Sequence, residues 1–257
     1  MKKTRYYRSY EDDFEQSSQQ DYKVPEDYRW VRSPFLSTLI YALAFVISSV
    51  CCRLFLHVRF QNRKTLKETK KTGAFVYANH TQPVGDVFDP ALACFPNRIY
   101  TLVSPANLGI PFLGKLLPYL GALPIPDSLK GMKKLSEAIE HRLNQKKCVV
   151  IYPEAHVWAY YTKIRPFPET SFKFPVKHQK PVYCLTAAYR KRRLGKKPAI
   201  TIFCDGPFHP NSALSPKEQA SDLRDRVYAC MEKRSQSSNC EYIVYEKIDS
   251  ERNSPHE

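Results

Sequence analysis

The longest apolar run in the chain lies near its start: from Ser33 to Cys52 no charged residue occurs. Wound as a helix at about 1.5 Å per residue, this run reaches roughly the thickness of a bilayer's hydrocarbon core. Beyond it the pattern shortens. Apolar runs rich in Val, Ile, Tyr and Phe, bounded by Pro, Gly or polar clusters, occur at Ala74 to Ala78, Ile99 to Val103, Cys148 to Tyr152, Val182 to Ala188 and Ile200 to Cys204. They predict buried strands. Leu129, Met132, Leu135, Ile139 and Leu143 recur at helical spacing behind a cap at Asp127 or Ser128. Pro216 to about Ser235 predicts another helix, with Leu223, Val227, Tyr228 and Met231 on its apolar side. Strands alternating with helices predict an α/β fold: a mainly parallel central sheet flanked by helices, with an N-terminal apolar membrane helix.

The same pattern divides the chain. Residues 1–32 are rich in Tyr, Asp, Gln and Ser and poor in aliphatic side chains, so they predict a mobile polar tail. Residues 33–60 predict a membrane-anchoring segment, 61–250 a globular domain and 251–257 a second tail. The formal net charge is +15, yet residues 1–32 hold seven Lys/Arg and seven Asp/Glu. The whole excess therefore follows the apolar run, as suits a surface lying against anionic lipid. Arg29 and Arg32 flank one end of the run, whereas Arg53, Arg59, Arg63, Lys64, Lys67, Lys70 and Lys71 crowd the other. That bias puts the globular domain on the cytoplasmic side of a membrane. A spanning helix and a helix lying in the interface both fit, as does a buried core helix of a soluble protein. The run begins too far from the N-terminus for a signal peptide.

Composition excludes several classes. The eight cysteines sit mostly in apolar runs without C-x-x-C spacing, which predicts reduced thiols and no metal site. Lys and Arg are spread, with no nucleic-acid motif, so nucleic acid is not an expected partner. Gly109 to Leu116 approaches a phosphate-binding loop but has Leu116 where Ser or Thr is needed. Its Phe112, Leu113, Leu116, Leu117 and Tyr119 suit a surface that dips into lipid or lines an acyl groove, and equally simple core packing. Asn79-His80-Thr81 spells a glycosylation triplet, read here as coincidence. The G-x-S-x-G elbow of serine hydrolases is absent.

Two segments carry candidate chemistry. Asn79-His80-Thr81-Gln82-Pro83-Val84-Gly85-Asp86 follows directly on the first predicted strand, at the sheet edge where open α/β folds bind ligands. An imidazole there exchanges a proton near neutral pH, and a carboxylate can fix its tautomer. His80 and Asp86 meet only if the chain turns back, and Pro83 and Gly85 favour a turn. Asp89 is the runner-up partner. Tyr152-Pro153-Glu154-Ala155-His156 also ends a predicted strand, so Glu154 is delivered toward the same edge.

These residues resemble the glycerolipid acyltransferase superfamily that includes 1-acylglycerol-3-phosphate acyltransferases, over roughly residues 60–205. Asn79, His80 and Asp86 are similar to its Asn-His, four residues and Asp. Pro118 to Ile125 is similar to its Gly-Ala stretch with a short apolar run. Tyr152-Pro153-Glu154-Ala155 resembles its aromatic-Pro-Glu-Gly segment, and Pro181 its strand proline. Three departures stand out. Five residues separate His80 from Asp86, so the pair needs a bulged loop. Pro126-Asp127-Ser128 lacks the arginine that holds the acceptor phosphate in the family, and His156-Val157-Trp158 lacks the arginine that often follows its Glu-Gly. Arg165 and Lys163 are the expected substitutes, before Lys173.

The resemblance implies a fatty acyl transfer from acyl-CoA or acyl carrier protein to a hydroxyl of a lysophospholipid or glycerol phosphate. It implies His80 as general base and Asp86 orienting it, with Asn79, Glu154, Arg165 and Lys163 binding substrate. No cofactor or metal is implied; membrane lipid and an acyl thioester donor are the partners. A lipid hydrolase using His80 with water, or a non-catalytic basic membrane or lipid-binding protein, are the alternatives.

Overall fold

The computed structural model describes residues 3–15, 19–193 and 195–248; the expected tail at 251–257 lies outside them. Chain order runs β1 Lys3–Tyr7, α1 Pro34–Val50 (continued by a wider turn, Cys51–Phe55), β2 Val58–Gln61, α2 Thr69–Thr72, β3 Ala74–Ala78 and α3 Gly85–Cys94. It goes on through β4 Ile99–Val103, α4 Leu113–Leu120, β5 Ala122–Pro124, α5 Leu129–Asn144, β6 Cys148–Ile151 and α6 Lys173–His178. β7 Val182–Arg190, β8 Ala199–Phe208, α7 Pro216–Ser235 and β9 Ile243–Lys247 complete it.

Seven strands form one sheet in the order β2-β8-β7-β3-β6-β4-β5. Every pairing is parallel except β7 with β8, which is antiparallel. The α/β fold with a mainly parallel sheet is as the pattern predicts. β3 sits in the middle, and all five of its residues are buried, as a strand covered on both faces must be. One face packs on α5 and α7 through Leu135, Ile139, Leu143, Leu223, Val227 and Met231. α5 begins at Ser128, whose Oγ accepts the Gly131 N–H at 3.1 Å. α7 begins with a reciprocal Ser215–Glu218 capping box. Leu129 departs from the expected stripe and is 91% exposed, because it stands at the first helical position, beyond the reach of the sheet.

The N-terminal residues depart more. Lys3–Tyr7, expected as part of a mobile tail, pair in parallel with β9 as a second, two-stranded sheet. Tyr7, Phe14 and Tyr245 pack around Trp158, whose ring is fully buried, and Trp158 Nε1 donates to the Asp12 carbonyl at 2.7 Å. Aromatic rings thus supply the burial that the missing aliphatic residues do not.

α1 with its extension, Pro34–Phe55, is the one helix among the described residues long and apolar enough to cross a membrane. It lies along the domain. Ser37 Oγ donates to the Tyr119 carbonyl at 2.7 Å, Tyr41 Oη accepts the Ile99 N–H at 3.4 Å and Phe45 stacks on Phe95 at 4.7 Å. Near the far end the Cys52 thiol reaches Asp89 at 3.4 Å.

Candidate active site

β3 ends at Ala78, and Asn79 extends its pairing by one side-chain rung. Asn79 Oδ1 accepts the Ala187 N–H at 2.8 Å, and its Nδ2 donates to the Ala187 carbonyl at 3.3 Å. This amide is 2% exposed and both of its polar atoms pair with β7, so in this structure it aims the next residue. The same burial removes the glycosylation triplet from consideration.

His80 and Asp86 meet. His80 Nδ1 lies 2.7 Å from Asp86 Oδ2. A carboxylate there takes the Nδ1–H, which leaves Nε2 as the basic nitrogen. Nε2 has no hydrogen-bond partner among the described residues, and the His80 side chain is 20% exposed. The extra residue of this segment is absorbed in a turn before α3. The Asp86 N–H donates to the Gln82 carbonyl at 3.3 Å, and the Gln82 N–H donates to Asp86 Oδ2 at 2.9 Å. A Cβ at Gly85 would stand 2.1 Å from Gln82 Oε1, so any side chain there would displace the Gln82 amide. Burial pushes the Asp86 carboxyl up, while His80 and the Gln82 N–H pull it back. The runner-up Asp89 turns from His80 to the Gln82 side chain, at 2.7 Å.

Glu154 and Arg165 are brought together. Glu154 is 5% exposed, and Arg165 is 1% exposed. Glu154 Oε2 accepts the His80 N–H at 3.1 Å and the Arg165 Nη2–H at 3.1 Å, while Oε1 accepts the Arg165 N–H at 3.0 Å. Burial raises the Glu154 carboxyl against the pull of Arg165 and the two N–H groups. The guanidinium also donates to the carbonyls of His156 and of Tyr10 and lies over the Trp158 ring at 4.9 Å. The guanidinium is thus engaged by protein groups on all these sides, and Glu154 holds two main-chain N–H groups together with that guanidinium. Lys163 is exposed on the same loop and Lys173 is exposed at the start of α6; no contact joins either to His80 among the described residues.

Two further residues complete the frame. The Trp158 N–H donates to the His80 carbonyl at 3.0 Å. Both main-chain polar groups of His80 are therefore held by the loop after β6. The Tyr152 ring stacks on the imidazole at 4.2 Å, and its hydroxyl donates to the Asp86 carbonyl at 2.5 Å. The aromatic residue before Pro153 was the sequence signal for this platform, whereas nothing local marks Trp158. Away from this edge, Cys184, Asp205 and Cys230 bring ligand atoms within 4.8 Å of one another. Arg234 already occupies the Asp205 carboxylate, at 2.5 and 2.9 Å.

An oriented imidazole thus stands at a central strand end of an α/β sheet, and comparison with known proteins gives the family. The sequence profile of the family described as acyltransferase matches residues 57–189, just over half of the chain. The chain belongs to the acyltransferase family. No curated protein matches it in sequence. Among solved structures it is similar to the 1-acyl-sn-glycerophosphate acyltransferase of Thermotoga maritima, with a TM-score of 0.57 and 15% identity. The match covers 79% of this chain and 84% of that one, and at that identity the likeness is one of fold.

Proposed function

We propose that the chain transfers a fatty acyl group from acyl-CoA or acyl carrier protein to a hydroxyl of a lysophospholipid or glycerol phosphate. The observation that carries this is the 2.7 Å contact between His80 Nδ1 and Asp86, in a chain of the acyltransferase family. His80 Nε2 takes the proton of the acceptor hydroxyl as its oxygen attacks the thioester carbonyl. The carbon–sulfur bond breaks, and the departing thiolate receives the proton from the imidazolium. His80 as general base contributes about 100- to 10,000-fold, and Asp86 stabilises the charge that appears on the ring between these steps. The thioester brings its own activation, so the step needs no resident metal or cofactor. With Arg165 committed to Glu154, Lys163 is the cation of this loop left to meet an acceptor phosphate.

The membrane is the proposed source of the acceptor, with α1 in its plane. Contacts from Ser37 to Cys52 tie about 22 Å of helix to the domain. Standing α1 across a bilayer would drag Arg98, which donates to Ser37 Oγ at 2.6 Å, into hydrocarbon. In the interface, Leu36, Leu39, Leu43, Val46, Val50 and Leu54 face outward as one exposed stripe, and the basic residues after it meet cytoplasmic headgroups. The transferase reading is tested by mixing the protein with an acyl thioester, with and without lysolipid. Thiol release that depends on the acceptor supports it, and equal release without acceptor marks a hydrolase.

A further inference from the structure

Behind the His80–Asp86 pair lies a second carboxyl that the reaction above does not use. Asp89 stands one turn further along α3 and is 3% exposed. Its Oδ2 accepts the Gln82 Nε2–H at 2.7 Å, and its Oδ1 accepts the Cys52 thiol at 3.4 Å. The main-chain N–H of Gln82 donates to Asp86 Oδ2 at 2.9 Å, the same oxygen that meets His80 Nδ1. One residue of the turn therefore joins both carboxyls. A small cavity of about 10 Å³ is lined by Asn79, Gln82, Asp86, Asp89 and Tyr152 among others.

Two carboxyls in one buried site do not both ionise cheaply. Burial raises Asp89 to about 7, and the charge of Asp86 adds to that, against hydrogen bonds from Gln82 and Cys52. The groups facing it are Asp86 on its own helix, Gln82 from the turn, Cys52 from the end of α1 and Tyr152 from the end of β6. Tyr189 of β7 feels both carboxyls. His80, reached through Asp86, is the group that turns cationic during the reaction. The Gln82 amide serves either state of Asp89. Its Nε2 donates to an ionised carboxylate as found, and its Oε1, buried without a partner, accepts from a protonated one once the amide turns over.

We infer that Asp89 is a positioning residue for the acyl transfer: through Gln82 it fixes Asp86 against His80, and its proton sets how much negative charge stands behind the imidazole. This rests on the reading of His80 as the base. It accounts for the fifth residue between His80 and Asp86, which gives Gln82 room to bridge. It also ties the end of the membrane-facing helix to the catalytic pair through Cys52.

The test follows the His80 imidazole by NMR in the full chain, its signal assigned by loss in His80→Ala, beside kcat and KM across pH. Asp89→Asn keeps the shape and removes the charge. Its His80 titration midpoint is expected to fall by about half a pH unit, a threefold change in proton affinity. Its kcat at pH 8 is expected to fall about threefold or more with KM unchanged. Gln82→Met leaves Asp89 in place and cuts the bridge, and its kcat is expected to fall with KM unchanged. Titration and kcat of both variants matching the parent overturn the proposal. If the parent transfers no acyl group, the proposed function fails while the NMR titration still decides whether Asp89 acts on His80.

Discussion

Glu154 holds the main-chain N–H of His80 at 3.1 Å, across a separation of 74 residues in the chain. The same carboxylate pairs with Arg165 in a fully enclosed site. The second motif therefore acts on the first through the backbone: it sets where the imidazole stands.

Removing one partner of that ion pair strands the other. Glu154→Gln is expected to cost about 3–5 kcal/mol of stability, because the Arg165 guanidinium stays buried without its counter-charge. Adding Arg165→Met to that variant is expected to restore part of the loss. Urea unfolding of the two single variants and the double one measures this; a double variant as unstable as the sum of the singles would contradict it.

Ala155 occupies the position where the family's segment has glycine, and it holds φ at 64°. A Cβ in that left-handed region costs about 1–2 kcal/mol. Ala155→Gly is expected to stabilise the protein by about 0.5–1 kcal/mol, the gain being trimmed by the greater freedom of an unfolded glycine. Thermal unfolding reads the change, and acyl transfer is expected to stay within about twofold.

Asp89 makes stability depend on pH in a stated direction. Its carboxyl is raised from 3.8 to about 7 in the folded chain, so between these values the native state binds more protons than the unfolded one. Stability then falls as pH rises through that window and is lowest, as far as Asp89 is concerned, above it. Asp89→Asn is expected to gain about 2–4 kcal/mol on the parent at pH 8 and little at pH 4. Denaturant midpoints of both proteins at the two pH values test the sign.

An in-plane α1 has a depth signature. Leu36, Leu43 and Leu54 are all exposed, and tryptophan at each is expected to be quenched by bromolipids at one shallow depth of about 5–10 Å. A helix crossing the bilayer would instead place position 43 deepest.

Much of this was legible in the sequence because one signal dominated locally. β3 and β4 begin and end where the apolar runs do, since central strands covered on both faces need unbroken apolar residues. α7 follows its capping box and stripe from Pro216 to Ser235. The misses share a cause, too. β1 and β9 pair across the length of the chain and are carried by Tyr and Trp contacts rather than by aliphatic periodicity. α3 carries Pro90 inside it, which breaks the expected pattern. At the site, residue type and strand-end position singled out His80, Asp86 and Glu154. Burial and partner were not readable, so the pairing of Asn79 with β7 and of Glu154 with His80 and Arg165 came only from the structure.

The central claim, that His80 Nε2 takes the acceptor's proton, is tested most directly by product formation in purified parent and His80→Ala proteins. Each is given an acyl thioester and lysophospholipid acceptors, with products read by mass. The account predicts a kcat about 100- to 10,000-fold lower in a variant that remains folded. Equal product from the two proteins would contradict it.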